Sequence, residues 1–392
     1  MNRGRATLAL FFLSVIASLR LCGEESSFKQ AVEPRVFNFP ADHGSHAGYQ
    51  TEWWYVTGNV VDDAGRAWGY QFTIFRRAVD SRTASERGRS SHWAATDFYL
   101  GHLAISDIGA HEFHFKEELE RGTVSLAGAT DAANFGKDND SVVAGIRVWL
   151  GKWEMDRIEK GWRLKATAGE IGLDVTLTET MEPVLHGRRD EQGLSRKGPR
   201  PGQASYYYSV PRLKTSGALS LNGTKYTIAS GSSWMDHEFG SNQLSKEQSG
   251  WVWFAIQLDD GSALMLYLLR NADGTAEPSS SGTWIAADGR SVHLPLSSIN
   301  AAPGRTWTSP HTQARYALEW TVEVPDRNLL LNVRAAQDDQ EVRSEKSGGI
   351  SYYEGAVRVS GKSAGKDVKG DGYLEITGAS GTRDGKPLSG RL

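Results

Sequence analysis

The sequence predicts an all-β protein built from antiparallel hairpins. Its composition suits strands joined by tight turns, because the 392 residues include 43 glycines and 13 tryptophans but only 12 prolines. From residue 50 onward, aromatic and β-branched runs alternate with short turn signals, and long helical stretches are few. Successive short strands at this spacing are typical of β-sandwiches and up-and-down barrels.

The N-terminal segment is typical of an export signal. Arg3 and Arg5 precede the apolar run TLALFFLSVIASL, which has the length of a signal-peptide core, about 7–15 residues, and is too short to cross a bilayer. We therefore expect residues 1–25 to be a signal peptide and the mature protein to be periplasmic or secreted. The single cysteine, Cys22, ends this segment, so the exported chain has no disulfide framework. A lipid anchor at Cys22 is the alternative, but Leu21 stands where lipoprotein processing normally requires a small residue.

Charge and motifs exclude several functional classes. The 44 Lys and Arg residues nearly balance the 47 Asp and Glu residues, and no basic run is interleaved with aromatics, so nucleic acid is not an expected partner. The sequence contains no P-loop, dinucleotide fingerprint or GxSxG nucleophile elbow. This argues against nucleotide-dependent chemistry and against a serine hydrolase of the usual fold, and no cofactor is expected.

Hairpin signals recur along the chain, with two polar segments between them. The first hairpin is TEWWYVTGNVVDDAGRAWGYQFTIFRR, which breaks at DDAG. Similar units are WLGKWEMDRIEKGWRLKATAGEIGLDVTLTET, GALSLNGTKYTIASGSSWMDHEF and YALEWTVEVPDRNLLLNVRAAQ. The segments SRTASERGRSSHWAATD and LHGRRDEQGLSRKGPRPGQAS are predicted to be exposed loops, with a lid as the alternative for the second.

An internal similarity indicates two copies of one β-unit. The first hairpin and SGWVWFAIQLDDGSALMLYLLR, about 200 residues later, share a Trp-rich start, a turn with two aspartates and an apolar return strand ending in Arg. Closing each sheet into a barrel would remove its exposed edges. We therefore predict an N-terminal domain over residues 28–243 and a C-terminal domain over 244–392.

The stretch GSSWMDHEFGSN carries the first candidate site. In a strand, Trp234, Asp236 and Glu238 face one side and His237 faces the other. Burial and like charge would raise the pKa of one carboxyl group, which makes Asp236 a candidate general acid tuned by Glu238 or His237. The alternative is a structural role, in which Asp236 or Glu238 caps a turn or pairs with an arginine such as Arg76 or Arg270.

A second cluster precedes the first strand. His43 and His46 lie in DHGSH, and Glu52 lies in the following strand. Without a Cys-rich or HExxH pattern, we expect no metal, and Glu52 or His46 is a candidate to position water. His102, in FYLGHLAISD, is predicted to be either a lumen residue or a satisfied core histidine.

Aromatic residues supply candidate walls for an apolar pocket. They could equally plug the ends of the barrels, and some must do so. Aromatic faces also stabilise cations, so a pocket with an acid and several indoles could protonate an alkene and hold the developing carbocation. The candidates are Trp53, Trp54, Tyr55, Trp234, Trp251 and Trp253.

With these residues in view, the chain resembles the AttH and carotenoid 1,2-hydratase-like family, also called hydroxyneurosporene synthase-like, whose bacterial members are often labelled predicted secreted hydrolases. The matching motifs run in order from about residue 40 to 378 and include DHGSHAGYQTEWWYVTGNV, FYLGHLAISD, YYYSVPRL, SSWMDHEFGSNQL, GWVWFAIQLDDG, YYEGAVRVSG and GYLEITG. The resemblance implies two consecutive lipocalin-like antiparallel β-barrels. It also implies that Asp236, the acidic residue of the Trp-x-Asp motif, donates a proton during hydration of an isoprenoid double bond.

Two functional hypotheses follow. In the first, an exported two-barrel protein binds an apolar isoprenoid or lipid-like molecule and acts as a hydratase, or else a hydrolase, through Asp236. In the second, the same protein is a non-catalytic lipid carrier or an accessory factor for envelope transport machinery, because lipocalin-like barrels are most often binders.

Overall fold

The computed structural model describes residues 28–81, 96–123, 125–136, 145–242, 244–245, 247–346 and 350–378. The predicted signal peptide, Cys22 and most of the first polar loop lie outside these ranges, so those predictions remain open. Within the described ranges, no helix combines the length and the apolar character needed to cross a membrane.

The first half of the described chain forms one antiparallel sheet. Its strands are β1 (Thr51–Asp62), β2 (Ala67–Ala78), β3 (Asp97–Asp107), β4 (Glu112–Arg121), β5 (Ala127–Ala129), β6 (Arg147–Leu150), β7 (Trp153–Ile158), β8 (Gly161–Ala168), β9 (Ile171–Glu179), β10 (Val184–Leu185), β11 (Leu194–Arg196), β12 (Ala204–Leu221) and β13 (Thr224–Gly240). Their order is β4-β3-β2-β1-β13-β12-β9-β8-β7-β6-β5, with β10 and β11 also paired to β12. The first strand therefore pairs with the last, and the sheet curls into a nearly closed barrel.

The second half repeats this topology. Its strands are β14 (Gln248–Leu258), β15 (Ala263–Asn271), β16 (Ser281–Ile285), β17 (Ser291–Pro295), β18 (Asn300–Pro303), β19 (Thr306–Thr308), β20 (Arg315–Ala317), β21 (Glu319–Val324), β22 (Leu329–Ala335), β23 (Glu341–Arg343), β24 (Ser351–Ser363) and β25 (Lys366–Ile376). The order is β17-β16-β15-β14-β25-β24-β22-β21-β18, with β23 paired to β24 and with β19 and β20 paired separately. Among the described residues, three short 3-10 helices cover Ala41–His43, Leu296–Ser298 and Pro325–Arg327.

The two sheets share one plan, which confirms the predicted all-β class. In each, four strands run as a meander, the ladder is interrupted after the fourth, and the first strand pairs with the last. The two similar sequence segments are the opening hairpins β1–β2 and β14–β15. The predicted domain boundary at residue 243 remains a prediction, although the strands of the two sheets end and begin on either side of it.

Each sheet encloses its own apolar core, and a third core lies between the sheets. Alternate residues of β1 and β13, such as Trp54 and Met235, belong to the first core, while Val252 and Phe254 belong to the second. The outward residues of the same central strands pack sheet against sheet around an aromatic group that includes Tyr55. The interface is therefore built by the faces that strand alternation leaves outside both cores.

The second polar segment, residues 185–205, differs from its prediction as an exposed loop. It contains β11, pairs with β12 and buries His186, Leu194, Ser195 and Lys197 at the side of the interface. Its polar composition suggested solvent exposure, but these side chains form hydrogen bonds inside the protein instead.

Candidate active site between the sheets

Strand β13 separates the residues of the WMDHEF motif into two environments. Trp234, Asp236 and Glu238 face the second sheet, whereas Met235 and His237 face the interior of the first. The strand is paired in regular register with β1 along this stretch, so its side chains alternate strictly. Asp236 and His237 therefore belong to different sites.

Asp236 is buried among three hydrogen-bond donors. The Tyr207 hydroxyl and the Trp234 indole N–H donate to its two carboxylate oxygens, each at 2.5 Å, and the Ser209 hydroxyl donates to Oδ1. Burial raises its pKa to about 7 and the nearby Glu238 carboxylate adds to the rise, although the three donors oppose it. Asp236 can therefore both hold and release a proton near neutral pH, and it forms no pair with Arg76 or Arg270.

Two further carboxyl groups reach the same interface from the second sheet. Glu354 is almost fully buried and accepts a 2.7 Å hydrogen bond from the Tyr55 hydroxyl, while its second oxygen has no partner among the described residues. Burial raises the pKa of Glu354 well above its usual value and that of the half-buried Glu375 to about 7. These carboxyl groups act electrostatically on Asp236 and Glu238. We call the four together, Asp236, Glu238, Glu354 and Glu375, the carboxyl cluster.

Glu238 is held differently from the other three. Its Oε1 accepts a hydrogen bond from Ser205 and lies 3.3 Å from the Lys197 ammonium group. Lys197 also donates to Ser195 and lies 3.8 Å from the centre of the Tyr267 ring. This cation neutralises one negative charge at the edge of the carboxyl cluster.

Aromatic side chains surround the carboxyl cluster. The Tyr55 and Trp253 rings meet edge to face at 5.2 Å, and the Trp253 indole donates to the Tyr207 hydroxyl at 3.1 Å. Trp251 is partly accessible and donates to Glu375, and Trp53 is partly accessible on the neighbouring sheet. The structure thus brings five of the six predicted aromatic residues to the interface.

Trp54 is the exception, because it faces the first core and stacks on His237 at 4.9 Å. There His237, His46 and Arg76 surround the buried Glu52 carboxylate. The distances to its oxygens are 2.9 Å from His237 Nε2, 2.8 Å from His46 Nδ1 and 3.0 Å from Arg76 Nε. Although burial acts in the opposite direction, Arg76 and the imidazoles hold the pKa of Glu52 well below its usual range.

The remaining ring nitrogens of this interior network are also paired. His46 Nε2 lies 2.9 Å from Asp42 Oδ1, and His237 Nδ1 lies 2.9 Å from the Tyr208 hydroxyl, which is 2.6 Å from His43 Nδ1. Burial lowers the pKa of His46, but the two facing carboxylates outweigh it and raise that pKa. A protonated His46 then donates to both Asp42 and Glu52.

A metal ion fits this interior network poorly. One ligand atom from each of His46, Glu52 and His237 lies within 4.8 Å of the others, which is the spacing of a three-ligand site. However, a dication there would displace the protons of existing hydrogen bonds and would lie beside the Arg76 guanidinium. The charges already balance as three carboxylates against three cations, namely Asp42, Glu52 and Asp97 against Arg35, Arg76 and protonated His46.

His102 lies on the outer face of β3, between the sheets. Its Nδ1 lies 2.8 Å from the Tyr352 hydroxyl, whereas Nε2 has no partner among the described residues. Burial lowers its pKa to about 3, so the ring is neutral. It is a partly satisfied histidine of the interface rather than a lumen residue of the first barrel.

A chain of hydrogen bonds runs from Asp236 across the interface. The Ser209 hydroxyl, which donates to Asp236, lies 2.6 Å from His186 Nε2, and His186 Nδ1 lies 2.8 Å from the Thr283 hydroxyl on the second sheet. Burial lowers the pKa of His186 well below its usual value, so its ring is neutral. His186 therefore joins the two sheets through the residue that orients Asp236.

Several of these groups were not predicted from the sequence. Glu354 and Glu375 lie in YYEGAVRVSG and GYLEITG, and Tyr207 and Ser209 lie in YYYSVPRL, so the motifs were noticed but their roles were not. A usable signal was present, since an acidic residue among aromatic neighbours in an otherwise apolar strand must face a polar partner. His186 and Lys197 gave no such signal, because they stand in a polar segment.

Comparison with known proteins finds a family match over most of the chain. Residues 30–379 match the model of a family described as AttH-like. A solved structure described as an AttH candidate from Nitrosomonas europaea is 31% identical, with a TM-score of 0.74, and the match covers 90% of this chain and all of the other.

Two more distant similarities involve enzymes that add or remove water. The structure of kievitone hydratase from Nectria haematococca is 16% identical with a TM-score of 0.65, covering 90% of this chain and 98% of that one. The sequence of the dehydratase asqC from Emericella nidulans is 22% identical over 219 residues, which is 55% of this chain and 60% of that protein. The chain thus matches less than two thirds of the length of this relative.

Proposed function

Because this chain belongs to the AttH-like family, we propose that it is a hydratase whose substrate binds between the two sheets. The substrate is an apolar, isoprenoid-like or lipid-like molecule with a carbon–carbon double bond. Asp236 is the general acid. The names of the two distant relatives, a hydratase and a dehydratase, support chemistry in which water is added to or removed from such a bond.

The proposal rests on the burial and the raised pKa of the Asp236 carboxyl group. A carboxyl group with a pKa of about 7 is protonated in a useful fraction of molecules at neutral pH and still acidic enough to give up its proton. Only 4% of Asp236 is exposed, so bulk solvent has little access to that proton.

The proposed reaction balances with two carboxyl groups. The Asp236 O–H bond breaks as its proton forms a C–H bond with one alkene carbon, which leaves a carbocation at the other carbon. Water attacks the cation and forms a C–O bond, and its surplus proton passes to the Glu375 carboxylate. Glu375 then releases this proton and Asp236 takes up a proton, which restores both groups for the next turnover. Both carboxyl groups have a pKa of about 7, so each can act as acid or base.

The aromatic side chains around the carboxyl cluster are suited to stabilise the carbocation intermediate. The rings of Trp253, Tyr55 and Trp234 lie around the carboxyl cluster, and each aromatic face stabilises a nearby cation by about 0.5–2 kcal/mol. The same rings bind the apolar ground state, which accounts for substrate recognition without many polar contacts.

The decisive experiment compares wild type with Asp236→Asn on polyenes, terpenoids and fatty esters, following the mass of the product and binding in parallel. We expect a gain of one water by the wild type, with turnover lost and binding retained in the variant. The exposed carboxylate variant Asp174→Asn is the matched control and is expected to behave like wild type. Turnover by Asp236→Asn would contradict the acid role, and binding without turnover by wild type would favour a carrier.

We propose, on the basis of the N-terminal sequence alone, that the protein acts outside the cytoplasm. Cell fractionation and mass spectrometry of the mature N-terminus would test this. Recovery of the protein with residues 1–25 attached in the cytoplasm would contradict it.

A further inference from the structure

A cavity of about 380 Å³ opens at the side of the interface, and one of its lining residues, Tyr267, belongs to the aromatic group between the sheets. Residues 187–199 form one wall, and the strands β16 and β17 with residues 278–280 form the other. Pro199 and Pro278 at its rim are exposed, so the cavity communicates with solvent. Its volume is within the range of about 300–1,000 Å³ that is typical of small-molecule sites.

Tyr267 joins this cavity to the proposed substrate cleft. Its ring belongs to the aromatic group between the sheets, and the same residue lines the cavity. Lys197, which neutralises Glu238 of the carboxyl cluster, lies over that ring. Tyr267 and Lys197 therefore lie between the cavity and the carboxyl cluster.

The cavity presents donors that lack partners within the protein. The Arg188 guanidinium forms no ion pair or hydrogen bond with any part of the chain that the structure describes. In the same described part, His293 Nδ1 is buried without a hydrogen-bond partner. Both side chains line the cavity from opposite walls.

The charges of the cavity do not cancel. Arg196 is neutralised by Glu191, which accepts from its Nε at 2.9 Å, and Lys197 is neutralised by Glu238. Arg188 is left as one positive charge without a fixed counter-ion. The unpaired guanidinium favours an anion with oxygen acceptors, and the buried His293 Nδ1 can donate to such an anion when it carries a proton.

We propose that this cavity binds the anionic head group, a carboxylate or a phosphate, of the molecule whose apolar part lies between the sheets. The anion accepts hydrogen bonds from Arg188 and from His293 Nδ1. The position of the apolar part between the sheets rests on the proposed function, whereas the anion site is inferred from the cavity alone. The substrate class is thus an acidic amphiphile rather than a pure hydrocarbon.

The local geometry supports such a cradle. Gly187 adopts a positive φ of 123°, and a Cβ there would lie 2.5 Å from the carbonyl oxygens of Glu191 and Leu194. This turn, which only glycine adopts without strain, lets His186 point into the interface while Arg188 points into the cavity. The chain therefore places His186, which bonds the Ser209 hydroxyl that donates to Asp236, two residues from the proposed anion-binding cation Arg188.

The test is a titration of histidine-labelled protein followed by NMR, with the His293 signal assigned from a His293→Gln variant. The probes are laurate, dodecyl phosphate, dodecanol and inorganic phosphate. We expect laurate or dodecyl phosphate to raise the pKa of His293, which burial and Arg188 now hold down. Dodecanol should not do so, and the difference between the two anions identifies the head group.

Two arginine variants sharpen the test. Arg188→Gln should weaken binding of the anionic amphiphile by roughly tenfold or more, as expected for the loss of a charge-assisted hydrogen bond. The neighbouring Arg189 is equally exposed but does not line the cavity, so Arg189→Gln should leave affinity unchanged.

Three outcomes would overturn the inference: equal binding of dodecanol and laurate, equal affinity in the two arginine variants, or inorganic phosphate binding as tightly as dodecyl phosphate. Turnover is a separate readout. If anionic amphiphiles bind as described but none gains water, the anion site stands and the hydratase proposal fails.

Discussion

Asp236 and His237 are adjacent in sequence but lie in different chemical compartments. Asp236 accepts hydrogen bonds from Tyr207 and Trp234 between the sheets, while His237 Nε2 lies 2.9 Å from Glu52 inside the first sheet. The motif therefore supplies a protonatable acid to one site and an ion-network member to another. Substitutions on its two faces should have separable effects, the first on chemistry and the second on stability.

Asp236 should make unfolding pH-dependent. Its pKa is raised from 3.8 to about 7 in the folded protein, so the fold favours the protonated form. Its stabilising contribution is therefore complete below about pH 4 and is lost as the pH rises through 7, and the difference amounts to about 4 kcal/mol. We therefore compare the free energies of unfolding of wild type and Asp236→Asn at pH 4 and pH 8 by denaturant unfolding. Between pH 4 and pH 8, wild type should lose more stability than Asp236→Asn does.

Comparison with Asp236→Asn isolates the contribution of Asp236 to the pH dependence, because Glu375 and the other ionisable groups titrate in both proteins. Identical pH dependence of unfolding in wild type and Asp236→Asn would contradict a raised pKa at Asp236.

Glu52→Gln should destabilise the fold while leaving the substrate cleft intact. Removing the carboxylate leaves Arg76 and protonated His46 without their shared partner in a buried site, which costs about 3–5 kcal/mol. Chemical denaturation measures the loss, and binding of apolar probes should not change.

The control is Glu154→Gln, which removes an exposed partner of Arg147 and should cost at most about 1 kcal/mol. If Glu52→Gln were as stable as wild type but inactive, Glu52 would instead have a direct role in the reaction.

The sequence predicted the fold further than it predicted the site. Period-two alternation, turn signals and the repeated hairpin each report local structure, and they specified an all-β chain with two related sheets. Alternation also predicted that Asp236 and His237 face opposite ways, because this needs only the strand geometry of residues 234–239.

The site itself depended on long-range pairing. Glu354 approaches Tyr55 from a position about 300 residues away in the chain, and no local pattern encodes that contact. Glu52 and His46 were assigned to position water near Asp236, but even-numbered residues of β1 face the first core. The register of β1 against β13 decides this, and register is a property of the folded sheet.

The interior network should not require a metal. Each ring nitrogen of His46 and His237 already has a hydrogen-bond partner, and the surrounding charges balance without a cation. We expect elemental analysis of purified protein to find no stoichiometric transition metal and EDTA to leave the melting temperature unchanged. The prediction would be contradicted by one tightly bound metal ion per chain together with a melting temperature that EDTA lowers. In that case a metal ion would replace the protons of these hydrogen bonds.

His186 should couple the two sheets energetically. His186→Leu leaves the Thr283 hydroxyl without its buried partner, which costs about 1–3 kcal/mol, and removes one of the two partners of the Ser209 hydroxyl, which still donates to Asp236. Thr283→Val removes one of those groups, so the double variant should be less destabilised than the sum of the single variants, as measured by denaturant unfolding. His114→Leu on the half-exposed strand β4 is the control and should be additive with Thr283→Val, because His114 has no contact with that residue. Additivity of His186→Leu with Thr283→Val would mean that this hydrogen bond does not couple the two sheets energetically.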